Sequence, residues 1–113
     1  MHELSIAQSI VDLAEQEARN HHAGSIEELE LEIGVLAGIE WIALDFALES
    51  AIKGSLLENA RIVRQIIAGE GRCGDCENRF PVENLLSACP ICSSYAVKIV
   101  KGKELRIKSI VVK

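Results

Sequence analysis

Four cysteines, Cys73-Gly74-Asp75-Cys76 and Cys89-Pro90-Ile91-Cys92, carry the clearest chemistry in this chain, and they are all the cysteines it has. Each C-x-x-C pair can bring two thiolates to one ion, and two such knuckles close a tetrahedral shell, the signature of an all-cysteine zinc site. Pro90 fixes the backbone inside the second knuckle. With all four positions filled by sulfur, none is left for water or substrate, so the pattern predicts one structural Zn²⁺ per chain and not a hydrolytic centre. The same thiolates would in principle accept iron. Two disulfides would suit a secreted protein, and a single C-x-x-C near a βαβ unit would suit a redox enzyme.

The amino terminus is the second place with chemistry. A free Met1 amine, the His2 backbone nitrogen and the His2 imidazole can form two fused chelate rings, and Glu3 can add its backbone nitrogen or carboxylate. Nitrogen-rich planar sets suit Ni(II) or Cu(II). Taken alone the signal is weak, because a histidine at position two is more often a solvated terminal residue.

These groups need a frame. Ile6, Ile10, Leu13, Ala14 and Ala18 recur at helical spacing and predict an amphipathic helix over residues 4–19, ended by Asn20-His21-His22-Ala23-Gly24. Residues 28–33 alternate strictly and predict a strand, with Leu29, Leu31 and Ile33 inward and Glu28, Glu30 and Glu32 outward. Residues 40–53 read as a second helix with Ile42, Phe46 and Ala47 inward, and residues 61–67 as a β-branched strand. The cysteine segment occupies residues 68–102. A last strand, 105–112, puts Leu105 and Ile107 on one face and Arg106 and Lys108 on the other. The order predicts an α+β fold, two helices packed on a small three-stranded sheet, with the four-cysteine zinc ribbon inserted before the last strand.

At 113 residues and 49% apolar composition the chain can bury a core, and with only 4% aromatics that core must be aliphatic. Residues 1–60 carry two basic and twelve acidic side chains, whereas residues 61–113 carry ten basic and five acidic. Opposite charges favour neighbouring strands, so the glutamate face of the first strand is expected beside the basic face of the last. The acidic balance argues against general nucleic-acid binding. Without an apolar run of about 20 residues or a secretory leader, the expected place is the cytoplasm, away from membranes.

Met1-His2-Glu3-Leu4-Ser5, Leu31-Glu32-Ile33-Gly34, the two knuckles and Gly102-Lys103-Glu104-Leu105-Arg106-Ile107 stand in one register. Together they resemble, from end to end, the HypA/HybF family of hydrogenase nickel-incorporation metallochaperones. The resemblance implies Ni²⁺ as transient cargo on Met1, His2 and Glu3, and structural Zn²⁺ on Cys73, Cys76, Cys89 and Cys92. It implies a nickel-handling GTPase partner, HypB-like, and the large subunit of [NiFe]-hydrogenase as recipient, with urease served in some members. It implies no enzymatic activity. Residues 1–67 plus 103–113 would form the nickel-binding domain and 68–102 the zinc module, in a monomer or homodimer. The chain departs from the family at Glu77 and Ser93, where a glycine often follows each knuckle because the turn favours positive φ, and at Asn59, another frequent glycine.

Other readings stand beside this one. A zinc-ribbon interaction module would have no nickel affinity and a clustered basic face. A thiol oxidoreductase would need free thiols. His21 and His22 at a helix end read as solvated cations suited to that terminus. Trp41 reads as a packing residue or a partner anchor. The basic C-terminal run reads as the complement of the acidic half, with docking as the second reading.

Overall fold

The computed structural model describes residues 3–113. The elements are α1 (Glu3–Asn20), β1 (Ile26–Gly34), α2 (Trp41–Ala51), β2 (Arg61–Ile67), β3 (Glu70–Cys73), β4 (Arg79–Pro81), β5 (Val97–Lys101) and β6 (Leu105–Val112). Two three-stranded sheets result, ordered β2-β1-β6 and β4-β3-β5. The expected α+β frame of two helices on a small sheet is present, and the cysteine segment, read from sequence as knuckles alone, builds a sheet of its own. Its strands are three to five residues long, too short for alternation to announce them.

Contacts divide the chain into two compact units. One comprises residues up to Glu32 with Ile39–Gln65 and Arg106–Lys113; the other comprises Ile33–Gly38 and Ile66–Leu105.

In the first unit, β1 is the central strand because it alternates so strictly. Leu29 and Leu31 are fully buried, while the glutamates between them reach the opposite face. That face is neutralised from both sides. Glu28 meets Arg61 of β2 at 3.7 Å, Glu30 meets Lys108 at 3.7 Å and Glu32 meets Arg106 at 2.6 Å. The expected match of acidic and basic strand faces is therefore realised. Such exposed pairs contribute about 0.2–1 kcal/mol each, so their main effect is on register. The two pairs to β6 reveal its direction, antiparallel to β1, and β2 runs parallel to β1 after the α2 crossover, as Ile26 N–H donating to the Leu56 carbonyl and Val35 N–H to the Ile67 carbonyl show.

Helix α1 buries Ala7, Ile10, Val11, Ala14 and Ala18, a stripe at helical spacing. Alanines dominate it, which lets α1 and α2 pack closely. Leu13 corrects the sequence reading: it is 59% exposed and borders a cavity of about 640 Å³ with Ile107 and Val112 of β6. The stripe centres on Ala7, Val11, Ala14 and Ala18, and Leu13 falls on its flank. The helix ends in a paired turn. His22 N–H donates to the Arg19 carbonyl and Ala23 N–H to the Ala18 carbonyl, with His22 left-handed at φ 57°. Asn59, in contrast, is not left-handed, so that family departure meets no conformational demand here.

Helix α2 carries the larger correction. Ile42 and Phe46, expected inward, are 84% and 73% exposed, and Leu44, Ala47 and Leu48 are buried instead. The helix is apolar on two sides, and periodicity cannot say which side finds the core. Trp41 is half-buried with the Arg64 guanidinium 5.4 Å from its ring centre, and Arg64 also pairs with Asp45.

The second unit closes on a tight backbone contact. Gly34 N–H donates to the Glu104 carbonyl (2.7 Å) and Leu36 N–H to the Gly102 carbonyl (2.6 Å). A Cβ on Gly34 would overlap the Gly102 carbonyl, and one on Gly69 would overlap the Val82 carbonyl. Gly34→Ala should therefore cost about 1–3 kcal/mol, the range for overpacking. Gly24→Ala, where a Cβ meets nothing within 4 Å, should be neutral. Denaturant midpoints of the two variants check this, and an equal shift in both would refute the steric account.

Candidate metal centre

The second sheet positions the knuckles. Strand β3 pairs antiparallel with β4, Gly71 opposite Phe80, and with β5, Cys73 opposite Val97. Cys73 ends β3, and the chain turns back through Cys76 toward β4. Cys89 and Cys92 lie between β4 and β5. In each knuckle an N–H closes the turn: Glu77 donates to the Cys73 carbonyl (3.0 Å) and Ser93 to the Cys89 carbonyl (2.8 Å). The donors are left-handed, Glu77 at φ 64° and Ser93 at φ 63°. These are the two positions singled out in the sequence as wanting glycine.

The four sulfurs converge. Their atoms lie within 4.8 Å of one another. Cys73 Sγ is 3.5 Å from Cys92 Sγ, and Cys76 Sγ is 3.6 Å from Cys89 Sγ. A zinc tetrahedron with Zn–S bonds of about 2.3 Å has sulfur–sulfur edges of about 3.8 Å, so the cluster fits that ion with little movement. All four cysteines are free thiols. Their sulfurs also receive the outer donors that thiolates need. Asp75 N–H and Cys76 N–H point at Cys73 Sγ (3.4 and 3.5 Å), Ile91 N–H at Cys89 Sγ (3.4 Å), and Asn78 Nδ2 at Cys76 Sγ (3.3 Å).

The same crowding sets their acidity. The Cys92 N–H holds the Cys89 thiol below its ordinary value, against burial, with help from the Ile91 N–H and the neighbouring sulfurs. Cys92 is pushed up to about 12: the Ser94 N–H pulls it down, but Cys73, desolvation, Cys76 and Cys89 together outweigh that pull. Four thiolates this close repel one another, and a divalent cation removes the repulsion.

The cluster is also part of a core. Cys73 and Cys89 are buried with Phe80 and Val82, and Leu36, Val97 and Ile99 pack against them. So small a core makes little stability alone, and the cysteine sulfurs are themselves part of its packing.

Sequence reading missed three supporting residues. The Ser94 hydroxyl donates to the Asp75 carboxylate and so joins the two knuckles, while Ala96 N–H donates to Ser94 Oγ (3.0 Å). Asn78 supplies the side-chain donor to Cys76. Their one sequence signal is position, beside or within a C-x-x-C. Of the residues considered for nickel, Glu3 heads α1 and is half-buried, whereas Met1 and His2 lie outside the described residues. His21 pairs with Glu17 at 3.2 Å on the helix surface.

A four-thiol cluster on a small antiparallel sheet, in a chain that also carries a two-helix α+β frame, defines a protein with a candidate metal centre. The family described as "Hydrogenase/urease nickel incorporation, metallochaperone, hypA" matches residues 1–112, and the chain belongs to it. It is accordingly a metallochaperone, not an enzyme. A hydrogenase maturation factor HypA of Parabacteroides distasonis is 65% identical over 113 residues, covering 100% of this chain and 98% of that protein. A second, from Prosthecochloris aestuarii, is 42% identical over 110 residues, 97% of each chain. The solution structure of the Ni metallochaperone HypA from Helicobacter pylori superposes with TM-score 0.73 at 28% identity, covering 99% of this chain and 97% of that one. Another HypA solution structure gives TM-score 0.75 at 28% identity, covering 100% and 97%.

Two outcomes follow for the cluster. Ser93→Gly should stabilise the metal-free chain by up to about 1 kcal/mol, since a left-handed L-residue costs about 1–2 kcal/mol, as read from its thermal midpoint. Asp75→Ala should speed metal loss to a chromogenic chelator several-fold while leaving the loaded stoichiometry at one. An unchanged release rate would show that the Asp75–Ser94 link holds nothing together.

Proposed function

We propose that the chain carries Ni²⁺ on Met1, His2 and Glu3 and passes it, with a HypB-like GTPase, to the large subunit of [NiFe]-hydrogenase. Membership of a hydrogenase/urease nickel-incorporation family is the observation that supports this most directly. Urease maturation is the alternative destination that the family description names. Residues 1–67 plus 103–113 form the nickel-handling part in this proposal, and residues 68–102 the zinc module.

Zn²⁺ is the resident ion we assign to Cys73, Cys76, Cys89 and Cys92. The closed sulfur set favours it: with every position filled by protein, the ion supplies cross-linking and no open site for chemistry. The chain's residues do the rest. Backbone N–H groups hold the thiolates, and the Asp75–Ser94 bond keeps the knuckles together.

Cargo must leave as readily as it binds. An amine and an imidazole at a chain terminus suit that, because protons compete for both near neutral pH. The amine's ordinary pKa is about 7.7–8.0 and the imidazole's about 6.5, so nickel affinity should fall as pH drops from 8 to 6. Glu3, as the first residue of α1, sits where its carboxylate also complements the helix dipole.

The decisive measurement is calorimetry of Ni²⁺ binding to three proteins: the free-terminus chain, a His2→Ala variant and a chain extended by a few residues before Met1. The expected result is specific binding by the first and its loss in the other two. Full affinity in the extended chain would reject the terminal site. Cys73→Ser should lose zinc outright and lower hydrogenase maturation in a complementation strain. Normal maturation there would reject any support of nickel delivery by the zinc module.

A further inference from the structure

The corrected face of α2 is an exposed apolar surface. Ile42 and Phe46 are 84% and 73% exposed one helical turn apart, and Leu4 from the first turn of α1 is 64% exposed. With Ala43, Ala47 and Ser50 they line an open groove of about 900 Å³. Exposed apolar residues scattered singly mean little, but a contiguous set in a groove marks an interaction site.

The shape of the groove suggests its occupant. Ala43, Ala47 and Ser50 are small and follow one another at spacings of four and three, forming a floor that a second helix can approach closely. Ile42 and Phe46 stand on one side of that floor as ridges, and ridges beside grooves are how helices pack. The charge is equally one-sided. Glu3 and Glu40 line the groove, with no basic residue among its described walls. The Glu40 side chain is not spent on its own helix: Glu40 precedes α2 in extended conformation and makes no capping hydrogen bond. It has no side-chain ion pair among those of the described residues.

We propose that this groove receives an amphipathic helix of a partner protein, with its apolar stripe on Ile42, Phe46 and Leu4 and its basic residues against Glu3 and Glu40. The helix-in-groove mode supplies the binding energy and the acidic rim supplies orientation. This deepens the nickel-delivery reading in one respect and rests on it there: Glu3 belongs both to the proposed cargo site and to the groove wall, so a helix docked here would stand beside the metal it is to receive.

The test uses the whole zinc-loaded chain and two synthetic helical peptides, one an amphipathic Leu–Lys repeat and the other its Leu–Glu counterpart. Trp41, the one tryptophan in the chain, adjoins Ile42 and reports binding by its fluorescence. The Leu–Lys peptide should bind and the Leu–Glu peptide should not. Ile42→Ser and Phe46→Ser should each weaken binding by roughly ten-fold or more, as expected for anchors in a pocket. Both residues are exposed, so the variants should retain the parent's circular dichroism. Glu40→Lys should weaken binding several-fold, while Glu58→Lys, away from the groove, should leave it within about two-fold, a rim contact being sensitive to position and bulk charge not.

Failure of the Leu–Lys peptide to bind overturns the proposal, as does equal binding of both. So does Leu–Lys binding that Phe46→Ser leaves unchanged, or an equal loss in Glu40→Lys and Glu58→Lys. Concentration-dependent self-association abolished by Phe46→Ser would show that a second copy occupies the groove instead. Ni²⁺ calorimetry on the same preparation separates the two ideas. Nickel binding without peptide binding rejects the groove and leaves the cargo site standing, and the reverse rejects only the cargo site.

Discussion

The two-sidedness of β1 is the constraint on which the frame depends. One face buries Leu29 and Leu31 completely, and the other holds Glu28, Glu30 and Glu32. A slip of one residue would exchange these faces and place carboxylates in an aliphatic core, at a cost no exposed ion pair could offset. Arg61, Arg106 and Lys108 then favour the observed register, which places a cation near each glutamate. Hydrophobic burial provides the stability, and electrostatics chooses the alignment.

A different principle holds the cysteine unit. Its buried residues are few, and two of them are the candidate metal ligands Cys73 and Cys89. In so small a core, packing and coordination are not separable. The glycines around it follow from the same shortage of space. Gly34, Gly69 and Gly102 let backbones approach where any side chain would intrude, and close backbone contact replaces the side-chain volume that the segment lacks. At the ends of the knuckles the chain accepts strain instead, with Glu77 and Ser93 in a left-handed conformation closed by one N–H bond each. Structural metals commonly offset that kind of local cost, since their binding energy adds directly to folding.

The proposed resident ion and the proposed nickel cargo make opposite demands. A resident ion needs a closed, rigid set of donors, and the four sulfurs with their N–H partners meet that need. Cargo needs few donors and an easy exit, which a terminal peptide offers. In the proposed arrangement the two sites differ in sequence position and in ligand chemistry, sulfur against nitrogen, which would limit competition between the ions. The exposed apolar groove lined by Glu3 is, in the same proposal, where a partner helix would dock.

The sequence by itself determined the features that depend on local spacing and ligand chemistry. The C-x-x-C pairs specified a four-sulfur cluster and strict alternation specified β1 and its faces, while the positive-φ turns at Glu77 and Ser93 were marked only through the family resemblance. Only the tertiary structure decided what depends on residues far apart in the chain. It chose which apolar side of α2 meets the core, sending Ile42 and Phe46 outward, and it left Leu13 at the flank of its helix. It brought Ser94 to Asp75 and Gly34 to Gly102, and it made a sheet from strands too short to show a period. The reason is physical. A local pattern records which positions can be buried, whereas the choice among equally apolar faces, and every backbone contact between distant segments, is made only when the whole chain competes for one limited interior.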